Sequence, residues 1–188
     1  MTWEGQRDDY LDSLAWVASL MHATERAQRE LPTPCAEFTV RLLMGHLVGT
    51  AHRGLGTAQG TSTRHISHVV TDVADDDLAT TYSSLTQQIE AAWASRQGDD
   101  EVTAPWGVCS AHAAAHGFTV ETVTHGWDLA VATGQPAHLE AVAQRCLDTA
   151  GPQIVPERLR GVMYDSPRTT QEDSATARLA HLLGHRRR

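Results

Sequence analysis

The sequence has no lysine; all 15 of its basic residues are arginine. That excludes a Schiff-base lysine and the phosphate-binding lysine of a Walker-type loop. Cysteine is scarce as well. Cys35, Cys109 and Cys146 are odd in number, far apart and without a CxxC pair. This argues against a disulfide framework or a cysteine-rich zinc knuckle and fits a reducing cytoplasm. No run approaches the roughly 20 apolar residues of a membrane helix, and no charged segment followed by an apolar one opens the chain as a secretory signal does. The expectation is a cytoplasmic protein without a membrane partner. A net charge of −8 and a pI near 5.7 leave no basic face for phosphates, so no nucleic-acid partner is expected.

The 188 residues, 41% hydrophobic and 20% charged, fit one domain with a packed core, or one domain with an appendage. Histidine is abundant, at 11. Either these are surface side chains of an acidic protein or some of them bind metal.

The apolar periodicity is helical nearly throughout. A first helix is predicted over residues 8–31, with a stripe at Leu11, Leu14, Ala15, Ala18 and Leu20 or Met21, stopped by Pro32 and Pro34. Thr39 reads as the N-cap of a second helix reaching about Ala58. Residues 60–73 read as a loop with one short extended piece at 66–70. Asp75, Asp76 and Asp77 put negative charge at the start of a third helix, through Leu78, Leu85, Ile89 and Trp93 to about Arg96. Residues 98–106 read as another loop. A fourth helix spans about 110–133 and ends at Gly134 with Pro136 beyond. Helices near 138–149 and 174–183 follow, separated by a connection broken at Pro152, Pro156 and Pro167, and the tail 184–188 reads as a frayed end. The expected fold class is all-α: a four-helix bundle in one domain over 1–188, with segment 137–188 packed against it.

One constellation carries chemistry. Glu121 and His125 are four residues apart on the fourth helix, on one face and about 6 Å apart along its axis. A carboxylate and an imidazole at that interval can share one ion. Their apolar neighbours point to burial, and a buried carboxylate needs a partner. His46 is the best third ligand. It sits in the apolar run Leu42-Leu43-Met44-Gly45-His46-Leu47-Val48, where Gly45 and Gly49 permit close helix approach. Taken singly, a core histidine satisfied by a carbonyl, or a Glu–His contact on a helix surface, is the simpler account of each residue. His112 and His116 have the familiar HxxxH spacing but face nearly opposite to Glu121 and His125. His52 is rotated away from His46. His65 and His68 lie in a loop, where they could line a pocket but have no assigned partner. Asp128 shares the Glu121/His125 face, where it either orients a ligand histidine or fills a structural role, the latter preferred. Cys35 follows a proline-rich turn without an assigned histidine partner and reads as packing.

Two segments resemble a known family. Residues 33–49, Thr33-Pro34-Cys35 through Thr39-Val40-Arg41 to His46-Leu47-Val48-Gly49, look like its T-P-C-x-x-W-T-V-R-x-L-L-x-H-L-V-G segment. Residues 121–135, from Glu121 through His125-Gly126-Trp127-Asp128-Leu129-Ala130 to Thr133-Gly134-Gln135, look like its E-x-x-x-H-G-W-D-L-A-x-A-T-G-Q segment. Residues 177–184 are similar to its closing L-x-x-x-L-G-R. This is the actinobacterial metal-binding family related to the N-terminal domain of mycothiol-dependent maleylpyruvate isomerase, in the DinB/YfiT-like superfamily. The resemblance implies a DinB/YfiT-like four-helix bundle with additional C-terminal helices. It also implies a divalent metal, usually zinc, on the positions of His46, Glu121 and His125. Phe38 replaces the family's tryptophan, a packing change expected to leave the site alone, and His185 stands where the closing motif has arginine. The isomerase itself carries a further sterol-carrier-like domain, for which the roughly 50 residues after Gly134 are too few.

Three protein ligands leave zinc an open position. The ion then either holds a low-molecular-weight thiol as thiolate for attack on an electrophile or activates water for hydrolysis. The resemblance favours the thiol, with mycothiol as cosubstrate and a transferase or isomerase-like reaction. The alternatives are a non-catalytic metal- or ligand-binding stress protein and a metal-dependent hydrolase. Two histidines and a glutamate also accept nickel or iron. No general base stands out among Asp128, His65 and His68. Trp3, Trp93 and Trp106 belong either to the core or to a homodimer surface.

Overall fold

A computed structural model describes residues 1–150, 164–169 and 173–186. Helix α1 (Trp3–Ala23) starts on Thr2, whose hydroxyl accepts the Gly5 N–H, with Glu4 in the first turn. It begins and ends several residues earlier than the periodicity predicts. The Thr24 hydroxyl donates to the Leu20 carbonyl at 2.8 Å while its own backbone turns extended. Glu25 and Gln28 then cap each other across a 3₁₀ turn, Arg26–Gln28. Local side-chain hydrogen bonds, rather than the downstream prolines, release the chain from the helix.

Helix α2 (Val40–Gln59) runs as expected from its Thr39 cap to Gly60, which adopts φ 72°. Helix α3 (Leu78–Ala94) follows a 3₁₀ turn, Asp75–Asp77, but none of these aspartates caps it. Asp75 pairs with Arg41, and Asp76 with Arg29 at 2.9 Å, so the acidic run ties the turn to α2 and its entry loop. Helix α4 (Ala111–Thr133) begins on Ser110, whose hydroxyl accepts the Ala113 N–H, and closes at Gly134 with φ 70°. Helices α5 (Glu140–Ala150) and α6 (Ala175–Leu182) complete the described elements.

The expected loop at 98–106 holds instead the first strand of a hairpin. Strands β1 (Glu101–Ala104) and β2 (Gly107–Ser110) pair antiparallel, with Glu101 opposite Ser110 and Ala104 opposite Gly107. Val102 and Ala104 point inward and Glu101 and Thr103 outward. That alternation lasts only four residues, too short to register as a pattern. Residues 66–70, by contrast, form no strand. Their backbone bonds to α2, with the Val70 N–H donating to the Gly45 carbonyl at 3.1 Å.

Helix α1 packs on α3 and α4, and α2 packs on the same two, closing a four-helix ring. The core is built on Tyr10, Leu14, Leu43, Leu47, Ile89, Trp93, Phe118 and Trp127, all at most 1% exposed. Trp93 is core, Trp3 packs beside it, and Trp106 stays 42% exposed on the hairpin. A second cluster joins Val120 and Val123 of α4 to Val142, Ala143 and Cys146 of α5 and to Ala175, Leu179 and Leu183 around α6. Helix α4 is therefore apolar on both flanks, one toward the ring and one toward α5 and α6. The expected breaks at Pro152 and Pro156 lie outside the described residues, as do Arg187 and Arg188. The tail is not frayed at its start: the His185 N–H donates to the Ala180 carbonyl at 3.1 Å. Among the described residues no helix is long and apolar enough to cross a membrane.

Candidate metal centre

One turn of α4 separates Glu121 from His125 and puts both on the side facing α2, where His46 lies. His46 Nε2 is 3.1 Å from Glu121 Oε1, and His125 Nε2 is 3.5 Å from the same oxygen. The two imidazole rings lie 4.6 Å apart at 73°. One donor atom from each of the three residues falls within 4.8 Å of the others. The structure thus brings together the three residues singled out by spacing. His46 and His125 are buried, whereas the Glu121 side chain keeps 22% of its surface, so the cluster opens to solvent at the carboxylate.

The glycines flanking His46 act differently from the expectation. A Cβ on Gly45 would stand 2.5 Å from the Val70 carbonyl oxygen, and one on Gly49 would stand 3.0 Å from that of Ser67. A loop backbone, not a second helix, presses against α2 here. Its closeness lets the His68 carbonyl accept the His46 Nδ1–H at 3.0 Å. On the other histidine, Asp128 accepts the His125 Nδ1–H at 2.9 Å. A carbonyl and a carboxylate can only accept, so both Nδ1 atoms carry hydrogen. Both Nε2 lone pairs and the Glu121 carboxylate then point at one place.

Three converging lone pairs repel one another unless a proton or a cation lies between them. Burial alone would weaken the His125 imidazolium, but the charge of Glu121 and the hydrogen bonds of Asp128 and Glu121 outweigh it and raise the His125 pKa well above the ordinary imidazole range. Burial likewise works against the Glu121 carboxylate, and the charge of His125 with hydrogen bonds from His125 and His46 holds its pKa well below the usual range. The metal-free cluster is therefore a proton-bridged pair, with the proton where a cation fits. Imidazoles whose far nitrogens are tied to a carbonyl and a carboxylate are the usual surroundings of a divalent ion. The donor set fits one.

Apart from the loop residue His68, the further neighbours of the cluster were not foreseen. Phe38 does touch the site: its ring stacks on His46 at 5.1 Å and meets His125 edge-on at 6.1 Å. The Tyr164 hydroxyl donates to Glu121 Oε2 at 3.4 Å from a segment more than forty residues away. The His68 ring lies 4.5 Å from His46 at the site's rim. Arg53, half-buried, donates to the Ile66 carbonyl at 3.0 Å; burial lowers its pKa and the charge of Glu121 opposes that. Cys35, expected only to pack, joins His125, Asp128 and His185 in a second group of donors within 4.8 Å of one another. Burial pushes the Cys35 thiol up, with the charge of His125 a smaller opposing effect.

The remaining histidines stay apart. His116 Nδ1 meets Gln6 Oε1 at 3.3 Å, a structural contact with α1, and His65 is exposed. His52 lines a recess with Asp77, Thr81, Leu85 and Gln88 between α2 and α3. A phenol arriving from a distant segment leaves no local spacing to read. His185 carried one signal, its place in the position where the closing motif has arginine.

Residues 11–130 match the family described as the mycothiol maleylpyruvate isomerase N-terminal domain, and the chain belongs to that family. No protein with a curated description matches the sequence. Two solved structures are similar: the mycothiol-dependent maleylpyruvate isomerase, at 13% identity, and a histidine-to-alanine mutant of it, at 12%. Each superposes with a TM-score of 0.63 over 80% of this chain and 68% of the other. At that identity the likeness shows the shared helical fold.

Proposed function

We propose that this member of the mycothiol maleylpyruvate isomerase N-terminal domain family holds a divalent ion, zinc first among the candidates, on His46, Glu121 and His125. The ion serves thiol-dependent isomerase- or transferase-type chemistry with mycothiol as cosubstrate. The observation that carries the reading is the convergence of two Nε2 lone pairs and a carboxylate while both Nδ1 atoms are already bonded, at 3.0 and 2.9 Å.

Bound there, the ion supplies positive charge that keeps a small thiol deprotonated at neutral pH. The chain's own residues do the rest. The His68 carbonyl and Asp128 hold the two imidazoles in one tautomer and orientation. Phe38 walls the histidines on one side and excludes water there. Glu121, the most exposed of the three ligands, marks the side from which thiol and electrophile enter, and the Tyr164 hydroxyl orients its second oxygen. Membership of the family and the fold of the isomerase support the choice of thiol over water as the activated group.

Elemental analysis of natively purified protein, repeated on His46→Ala and His125→Ala, tests the ligand assignment. One ion per chain in the wild type and none in either variant is the expected result; a full equivalent in His125→Ala overturns it. Conjugation or isomerisation assays with mycothiol and an electrophile, with and without chelator, test the chemistry. A metal-loaded protein inactive with every thiol returns the chain to a binding role.

A further inference from the structure

Asp128 is fully buried on α4, and two imidazoles share its carboxylate. His125 Nδ1 lies 2.9 Å from Oδ2, and His185 Nδ1 lies 3.0 Å from Oδ1 and 2.7 Å from Oδ2. The two rings stand 5.3 Å apart at 68°. His185 reaches this point from beyond α6, outside the residues that match the family.

Three features put it there. Leu179 and Leu183 anchor α6 against Val120 and Val123 of α4. Glu140 of α5 grips the start of α6, accepting from the Ser174 hydroxyl at 2.6 Å and the Ala175 N–H at 2.5 Å. Gly184 adopts φ 96° with its Cα face against Asp165. A left-handed turn in that space suits glycine alone, and it aims the next side chain at α4.

We propose that His185 is a positioning residue of the metal centre. Through Asp128 it fixes the orientation of His125, so docking of the C-terminal segment and retention of a divalent ion are linked. The inference rests on the reading that His125 holds an ion. A buried carboxylate held by one imidazole at one oxygen can still rotate about its χ2; a second imidazole that straddles both oxygens stops that rotation. The His125 Nδ1–H then has one acceptor direction, and its Nε2 one aim, toward Glu121 and His46. Removing His185 leaves Asp128 with unmet acceptor capacity in a dry environment, and it turns to recover a partner. Outer partners of this kind govern metal affinity, and linkage is reciprocal: an ion that fixes His125 also tightens the segment that supplies His185.

The test is zinc affinity of the full chain, measured by competition with a chromophoric chelator, for the wild type, His185→Leu, His185→Asn and His46→Ala. His185→Leu weakens zinc by about 10- to 100-fold. His185→Asn, whose amide nitrogen stands close to the place of Nδ1, recovers most of that loss, which a mere packing role does not predict. If the leucine variant fails to fold by circular dichroism, His185→Gln replaces it, with its amide a bond too far out and the same loss expected. Amide exchange over Ala175–Leu182 slows on zinc addition in the wild type and not in the leucine variant. His46→Ala separates the two ideas. Zinc held by the wild type and lost in His46→Ala, with His185→Leu binding as tightly as wild type, overturns the role of His185 alone. A wild type without zinc affinity overturns both.

Discussion

The His46 Nδ1 lies 3.0 Å from the carbonyl oxygen of His68, and that bond decides which nitrogen of His46 faces Glu121. The loop can come so close because residues 45 and 49 have no side chains: a Cβ on Gly49 would meet the Ser67 and His68 carbonyls, and one on Gly45 the Val70 carbonyl. Gly45→Ala places a methyl group against the Val70 carbonyl and pushes the loop outward. A loss of about 1–3 kcal/mol in urea denaturation is expected, with weaker metal binding alongside. Gly5→Ala is the control. Its Cβ meets nothing nearer than 3.4 Å, and the helix gains about 0.5–1 kcal/mol from the exchange.

If the cluster takes up zinc as proposed, uptake is expected to release protons. The His125 pKa is raised well above the ordinary 6.5, so at neutral pH the ion must displace a proton from the cluster. Affinity therefore rises with pH until the raised His125 value is passed, then levels. Calorimetry in two buffers of different ionisation heat counts the protons; a heat independent of buffer contradicts the proton-bridged cluster.

The metal-free protein has a stability plateau with two limbs. Because His125 is raised in the folded state, its contribution is fully present below the ordinary 6.5 and is lost as pH climbs through the raised value. Because Glu121 is lowered, its contribution is present above the ordinary 4.5 and is lost as pH falls through the depressed value. Urea midpoints measured in chelator across that range show both limbs. Glu121→Gln removes the acid limb and shrinks the alkaline one, which Asp128 still supports through its bond to His125.

Cobalt distinguishes the two donor groups that share His125. On His46, Glu121 and His125 it gives visible ligand-field bands without the near-ultraviolet band of a thiolate ligand. Cys35→Ser then leaves both the spectrum and the stoichiometry unchanged. A thiolate band that disappears in Cys35→Ser moves the ion to the Cys35, Asp128 and His185 side.

The ring of helices could be read because its signals are local: Thr39 as a cap, Gly134 as a stop, apolar stripes between them. The Glu121/His125 pair was equally plain, a spacing within one helix. His46 needed only the oddity of an imidazole in an apolar run. What escaped is non-local or brief. Thr24 ends α1 through a bond to its own preceding turn, the hairpin offers four residues a strand, and Phe38, Tyr164 and His185 reach the cluster from segments that share no period with it. Long-range packing, not propensity, places the last three.

Helix α4 is enclosed by α1 and α2 on one flank and by α5 and α6 on the other. A helix so surrounded opens to exchange only when most of the molecule does, whereas the strip of chain bearing the His68 carbonyl lies at the surface. Glu121 and His125 therefore form the anvil of the centre and His46 the hammer, its angle set from outside. Escape of an ion held between them is expected to follow local opening of that outer strip rather than global unfolding.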